Sequence, residues 1–510
     1  MIGRQIDGAD ENENHTTRAG RDDSVRTFGN PFKGDERREN MVQRLRDKDA
    51  LLWDLECDVA VVGGGACGFI AALAAAERGL EVVILEKEKK VGGNTALSQG
   101  MIPAAGTRFQ KAAGIDDSAE LMAEDIFRKN HYESDPDMTL HVCRESKHLV
   151  EWLVDAVGIH LDIVTDFLYP GHSRMRIHAP STRKGTQIMQ ELRSALSTRE
   201  NIMLVTQAPV KDLIATEAGE VLGLEVEIAG QGINRLRAKK VILACNGFGN
   251  NKEMLRKYIP EMADAFYFGH EGNTGEGILW GMELGAATEH MGAYQAHGSV
   301  AYPHATLLTW VVIVNGGFQV NKQGRRFSNE YTGYSEHAIE VLKQEDQMAV
   351  EIFDERIYRS VLSFEDFTQC VEIGAVKKGE TIEDLARSFG LPPEELRLTL
   401  EAYNRAAEGR APDPFGRQDF QGPLRPPFFG VRVTGALFHT QGGLKINKRA
   451  EVLRPDGSVI PNLYAGGGVA VGFSGSGVKG YSSANGLLAA TVLGKIAGES
   501  AAEAVLGERT

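Results

Sequence analysis

Asp58-Val-Ala-Val-Val-Gly-Gly-Gly-Ala-Cys-Gly68 runs from an apolar strand pattern straight into a glycine turn, and Glu81-Val-Val-Ile-Leu-Glu86 closes a second apolar run. Between them lies an alanine-rich segment, Ala66 to about Arg78, with helical character and Gly79 placed to end it. The order strand, turn, helix, strand predicts a βαβ unit with parallel strands. Gly63, Gly65 and Gly68 supply G-x-G-x-x-G: a tight turn, backbone approach to a pyrophosphate, and close packing of helix on strand. Ala66 opens the helix, whose free N–H groups and positive dipole end favour phosphate. Glu86 stands where a carboxylate accepts hydrogen bonds from ribose hydroxyls, with Lys87 beside it. The pattern therefore points to a bound dinucleotide.

Composition narrows the remaining classes. The chain has 510 residues, 42% hydrophobic and 25% charged, which is globular and long enough for two or three domains. A formal charge of −14 disfavours nucleic acid as a partner. No apolar run reaches the length of a membrane span, and the N-terminus lacks a charged-then-apolar leader pattern, so the expectation is a cytoplasmic protein with no membrane contact. Cys57, Cys67, Cys143, Cys245 and Cys370 have no CxxC spacing. That argues against zinc, c-type haem, an iron–sulfur cluster or a disulfide framework, and no metal is expected. Nothing in the sequence signals an oligomeric state.

Lys90-Val-Gly-Gly-Asn-Thr-Ala-Leu-Ser-Gln-Gly100, just past the ribose acid, resembles the Gly-Gly-Asn-Thr/Ser signature of the fumarate reductase/succinate dehydrogenase flavoprotein superfamily. The resemblance spans roughly Asp58 to Ala501. It implies an α/β fold: a Rossmann-type FAD-binding domain with an inserted α+β cap domain. It implies FAD as cofactor, with Gly93, Asn94, Thr95, Ser98 and Gly100 along the pyrophosphate and ring. The covalent branch of the superfamily has His-Thr where this chain has Asn94-Thr95, which implies noncovalent FAD. Asn246-Gly247-Phe248-Gly249 looks like the family strand end beneath FAD, and Gly272-Asn-Thr-Gly-Glu-Gly277 like another flavin segment. In Asn462-Leu-Tyr-Ala-Gly-Gly-Gly468, Gly467 and Gly468 fall at the ribityl chain, and Gly468 replaces the usual family acid. Ser483, Asn485 and Leu487 belong to the start of the last helix, whose dipole would face flavin N1 and O2.

The expected division is a charged tail and short helix at 1–54, the FAD-binding domain at 55–288 and 430–510, and the cap at 289–429. Residues 1–32 read as a disordered tail and Pro31 to Trp53 as a short surface helix. Helices are predicted near Ala119–Lys129, Thr139–Val157 and Gly185–Leu196, with a last helix from Asn485 to about Leu506. Ile202–Val205, Val221–Ile228 and Lys240–Ala244 are predicted to form a meander rejoining the main sheet.

On the substrate side, His439-Thr-Gln-Gly-Gly-Leu444 and Gly324-Arg-Arg-Phe-Ser-Asn-Glu330 resemble segments of soluble fumarate reductases, and His297 resembles a further family histidine. Those enzymes clamp a dicarboxylate with arginines. Here Tyr481 stands at the late arginine position, and gap-free alignment puts Tyr358 at the cap arginine, with Arg356 and Arg359 nearby. Tyr481 with Asn485, and Tyr334 after Asn329-Glu330, instead resemble the 3-ketosteroid Δ1-dehydrogenase branch. That resemblance implies FAD-dependent α,β-desaturation of a cyclic ketone, a 3-ketosteroid or a cyclohexanone. In it Tyr481 and a backbone N–H polarise the carbonyl, Tyr334 takes the proton with help from Tyr132 or Tyr331, and flavin N5 accepts hydride. Asn485, Gly486 and His297 would contact substrate, with O2 or another external electron acceptor. The alternative is a fumarate- or urocanate-type enoate reductase using His439 with Arg356 or Arg359; an electron-transfer flavoprotein subunit is a further reading.

Overall fold

In the computed structural model, residues 41–46 and 51–509 are described. Leu55–Val62 pairs in parallel with Val82–Leu85 on one side and with Gly232–Leu243 on the other, and is buried from Asp58 onward. Strands buried on both faces carry continuous apolar runs, which is how these read in the sequence. The helix Ala66–Ala76 between the first two strands is buried at every position, sandwiched against the last helix, Asn485–Arg509. Asp58 ties the layers: its carboxylate accepts from the Glu81 amide, Lys239 and Arg509.

The nine-stranded sheet runs in the order Val42–Leu45, Val210–Thr216, Val221–Ile228, Gly232–Leu243, Leu55–Val62, Val82–Leu85, Ile202–Val205, with Val459–Ala465 also on the Gly232–Leu243 strand and Glu451–Leu453 beyond it. Two sequence expectations are corrected here. The meander is Val210–Thr216, Val221–Ile228 and Gly232–Leu243, whereas Ile202–Val205 lies at the far edge, parallel to Val82–Leu85. The charged pair Lys211-Asp212 breaks the apolar run of Val210–Thr216 and hid that strand. The segment expected to be a short helix before Trp53 holds a strand, Val42–Leu45, parallel to Val210–Thr216; the amides of Met41 and Val42 donate to Glu283. The expected tail lies outside the described residues.

A second, seven-stranded sheet is built around the long strand Phe428–Thr440, flanked by Tyr294–Ala301 and Met348–Asp354. It packs its own apolar core, including Phe318, Phe353, Phe367, Leu385 and Tyr403. The Gly324–Glu330 segment serves that core. Arg326 binds Glu330 through two nitrogens at 2.8 Å and also pairs with Asp413, while Arg417 adds a bond to Glu330 at 3.3 Å. Arg326, Glu330 and Arg417 are buried, and although burial works to raise the Glu330 carboxyl, the arginines hold it below the usual carboxylate range. The end of Phe428–Thr440 carries His439 into the cavity between the two sheets.

Candidate active site

The first part of the cavity is a cofactor cradle. Gly63 has φ +116°, and a Cβ there would sit 2.5 Å from the Ala244 carbonyl oxygen; a Cβ at Gly68 would sit 2.0 Å from that of Gly63. Only glycine allows this turn and this helix approach. Glu86 accepts from the Gly64 amide at 2.8 Å and the Glu88 amide at 2.9 Å, which fixes the carboxylate at the strand end. Thr95 accepts from the Ala66 amide, and Asn94 accepts from His270 N at 2.7 Å and Asn273 Nδ2 at 3.0 Å. Gly63, Gly65, Ala66, Glu86, Lys87, Gly93, Asn94, Thr95, Ser98, Asn246, Gly467, Gly468, Ser483 and Leu487 all line the cavity. Gly68, Gly100, Gly247 and Asn485 stand behind the wall rather than on it.

Two observations show that this cradle suits FAD. The buried indole N–H of Trp280, on the cavity wall, has no protein partner. And the space beside Gly468 is taken: a Cβ there would lie 2.1 Å from Asn246 Oδ1. Asn246, held at φ +66°, thus puts an amide where the family acid is missing.

The second part of the cavity is aromatic. Tyr481 leads into the last helix, and the Gly486 N–H donates to its phenol oxygen at 3.3 Å. The Asn485 N–H is spent on the Ser482 carbonyl, so Gly486, not Asn485, supplies the backbone donor beside Tyr481. Tyr334 opens the helix Tyr334–Leu342; its hydroxyl is 3.3 Å from Ser483 Oγ and its ring centroid 6.4 Å from that of Tyr481. Burial pushes both phenols above the ordinary tyrosine range, and each remains protonated at neutral pH. His297 is stacked between Tyr334 and Phe438, with centroids at 5.2 and 5.5 Å, and its Nδ1 accepts from Ser299 N. His439 lies edge-on to Tyr481 at 5.5 Å. Its Nδ1 faces the Gln441 amide nitrogen at 2.9 Å and the Thr440 carbonyl oxygen at 3.3 Å; accepting the shorter bond from Gln441, whose Oε1 accepts from Ser474, puts the proton of the neutral ring on Nε2. Burial lowers His439 to about 4 and His297 to about 3.

Several sequence assignments do not reach this cluster. Tyr358 stacks on Phe429 at 4.5 Å in the second sheet's core and is absent from the cavity wall. Arg359 pairs with Glu355 on the same helix and is 73% exposed, and Arg356 is half exposed beside Asp354. Tyr132 is exposed and bonded to Glu124, and Tyr331 lies under Arg417. Trp310, Gln295, Gln441 and Asp366 line the cavity without having been singled out. Gln295 faces His439 across the sheet, a pairing that only the fold reveals; Asp366 had no signal in the sequence either.

Among the described residues no group of His, Cys, Asp or Glu is arranged to hold a metal, and no helix is long and apolar enough to cross a membrane. The five cysteines are unpaired.

A dinucleotide cradle opening onto an aromatic pocket defines a flavoprotein oxidoreductase. Residues 58–487 match the FAD binding domain family, and the chain belongs to it, within the fumarate reductase/succinate dehydrogenase flavoprotein superfamily, with FAD as cofactor. It is 33% identical over 456 residues to a probable fumarate reductase, Ifc3, of Shewanella frigidimarina, covering 88% of this chain and 75% of that one. It is 31% identical over 461 residues to the urocanate reductase of Eggerthella lenta, covering 88% and 75%. Its fold is similar to that of 3-ketosteroid-Δ4-(5α)-dehydrogenase from Rhodococcus jostii, with TM-score 0.72, 27% identity, and 90% and 100% of the two chains covered.

These relatives correct the expectation of a cyclic-ketone desaturase. The sequence kinship runs to proteins named as reductases of fumarate and urocanate. The tyrosines misled because a phenol in place of an arginine changes how an acyl group is held, and says nothing of which way hydride travels.

Proposed function

We propose that this chain is an FAD-dependent enoate reductase, which saturates the C=C bond of an α,β-unsaturated acid. The observation that carries the reading is a cluster of protonated donors on one cavity wall: Tyr481 O–H, whose oxygen accepts from the Gly486 N–H, and His439 at the N-terminus of the last helix, with Tyr334 O–H beside them. Bound, reduced FAD would supply hydride for the substrate β-carbon. Negative charge then builds on the acyl group, where Tyr481, polarised by the Gly486 N–H, and the helix dipole would stabilise it. Tyr334 would deliver the proton to the α-carbon, and the Ser483 hydroxyl beside it would return one. The sum is one hydride and one proton across the double bond. A phenol that burial keeps protonated suits this donor role better than that of a base.

Among the described residues no arginine lines the cavity. That favours an acid with a single carboxylate, held by neutral donors and a helix end, over a dicarboxylate. Residues 289–429 would cover the substrate as a cap. Electrons would come from an external donor, and unpaired cysteines suit a reducing cytoplasm.

Product analysis tests the reading. Wild-type enzyme given a chemical reductant and a monocarboxylic 2-enoate in D2O should form the saturated acid with two deuteriums, one at the α-carbon from the exchanged Tyr334 hydroxyl and one at the β-carbon from the exchangeable N5 position of the reduced flavin. Recovery of unchanged enoate across such acids overturns the proposal.

A further inference from the structure

The cavity has a second polar end that the chemistry above does not use. Asp366 lies in the first turn of the helix Glu365–Glu372 and is on the cavity wall. Acids in a helix's first turn are commonplace, because they complement its dipole. Asp366 does not fill that role: the helix has no side-chain cap, and the carboxylate turns inward to accept from Gln99 Nε2 at 3.0 Å. Its neighbour Glu365 turns outward instead, to Lys184 at 2.8 Å. Among the described residues no cation pairs with Asp366. Burial raises its carboxyl to about 6, and its charge adds to the desolvation that raises the half-buried Tyr169 phenol on the same wall. A carboxylate enclosed with one amide partner has acceptor capacity left over, open to whatever fills the cavity.

Its place relative to the reacting end follows from contacts. The Cys370 thiol, on the same helix, donates to the Leu307 carbonyl, and Leu307 runs through Leu308 and Thr309 to Trp310. Trp310 packs edge-on against His297 and Tyr334. Apolar Leu307, Trp310 and Phe364 line the wall along this chain of contacts from the Asp366 helix to the tyrosine cluster. Resting on the enoate-reductase reading, we infer that Asp366 determines specificity by accepting a hydrogen bond from a hydroxyl or ammonium at the end of the substrate remote from its carboxylate. A distal carboxylate would meet Asp366 as a like charge, which reinforces selection against dicarboxylates.

The test uses anaerobically reduced holoenzyme reoxidised by ω-hydroxy-2-alkenoates of increasing chain length, each beside its ω-methoxy ether. At the chain length that spans the cavity, the hydroxy acid should show an apparent Kd about tenfold below that of its ether, as expected for a hydrogen bond to a charged acceptor. In Asp366→Asn that ratio should fall towards one. Because the ratio is taken within one protein, general losses of folding or flavin cancel. Equal Kd values for hydroxy acids and ethers at every length in the wild type overturn the inference, as does a preference that survives Asp366→Asn. If simple 2-alkenoates reoxidise the flavin and none of the ω-hydroxy acids does, the inference falls while the proposed function stands. If no enoate reoxidises it, the function falls and takes the inference with it.

Discussion

At the scale of single residues the proposal rests on Tyr481, Tyr334 and two neutral histidines. Tyr481→Phe removes one donor from the developing acyl charge and should lower kcat by about 10²-fold, the usual cost of losing such a donor. Tyr334→Phe removes the proton source and should cost about 10²- to 10⁴-fold, with loss of the solvent isotope effect on turnover. Both are read by stopped-flow reoxidation of reduced enzyme. The pH profile is a separate check. His439 and His297 must be neutral to keep their present hydrogen bonds, and burial lowers them to about 4 and about 3. Activity should therefore stay level as pH falls through about 6.5, where an ordinary histidine titrates, and decline only near the lowered values. A midpoint near 6.5 would contradict the assignment of both rings. Tyr481 and Tyr334 were legible in the sequence because each stands at a fixed offset from a recognisable motif. Tyr358 was misplaced because counting along a chain does not tell which face of a helix a residue takes; here the ring turns into the second core.

Among the elements, the glycine turn was fully readable, since sterics leave no other residue for Gly63 or Gly68. The exchange of partners at Gly468 was readable only in half. The missing acid was visible, but its replacement by the Asn246 amide needed two distant segments brought together. The Gly324–Glu330 segment shows the opposite case, a motif read for its family association whose charges turn out to hold the fold. Glu330→Gln should destabilise the protein by about 3–5 kcal/mol, because buried Arg417 loses its counter-charge and Arg326 keeps only Asp413; thermal unfolding of the flavin-bound protein measures it. The sign with pH follows from the same pair of acids. Glu330 and Asp413 both have folded pKa values below the ordinary ones. Their contribution is complete above the unfolded carboxylate range and lost as pH falls towards the folded values. The wild type should thus lose stability in acid more steeply than Glu330→Gln.

For the whole molecule, the parallel core and its dinucleotide site were written locally, in one βαβ unit, and the choice of FAD in the stretch that follows it. The second sheet was not, because its central strand, Phe428–Thr440, pairs with segments a hundred residues away. The aromatic pocket forms where that strand meets the last helix, so no contiguous stretch of sequence describes it. The direction of hydride transfer is likewise a property of the assembled site, and it is the central claim. The most direct measurement is anaerobic: reduce the bound flavin chemically, mix it with monocarboxylic 2-enoates, and follow the oxidised flavin absorbance. A reductase predicts return of the oxidised spectrum in proportion to enoate added, with no bleaching of oxidised enzyme by the saturated acids at equal concentration. A flavin that stays reduced in the presence of every enoate would contradict the account.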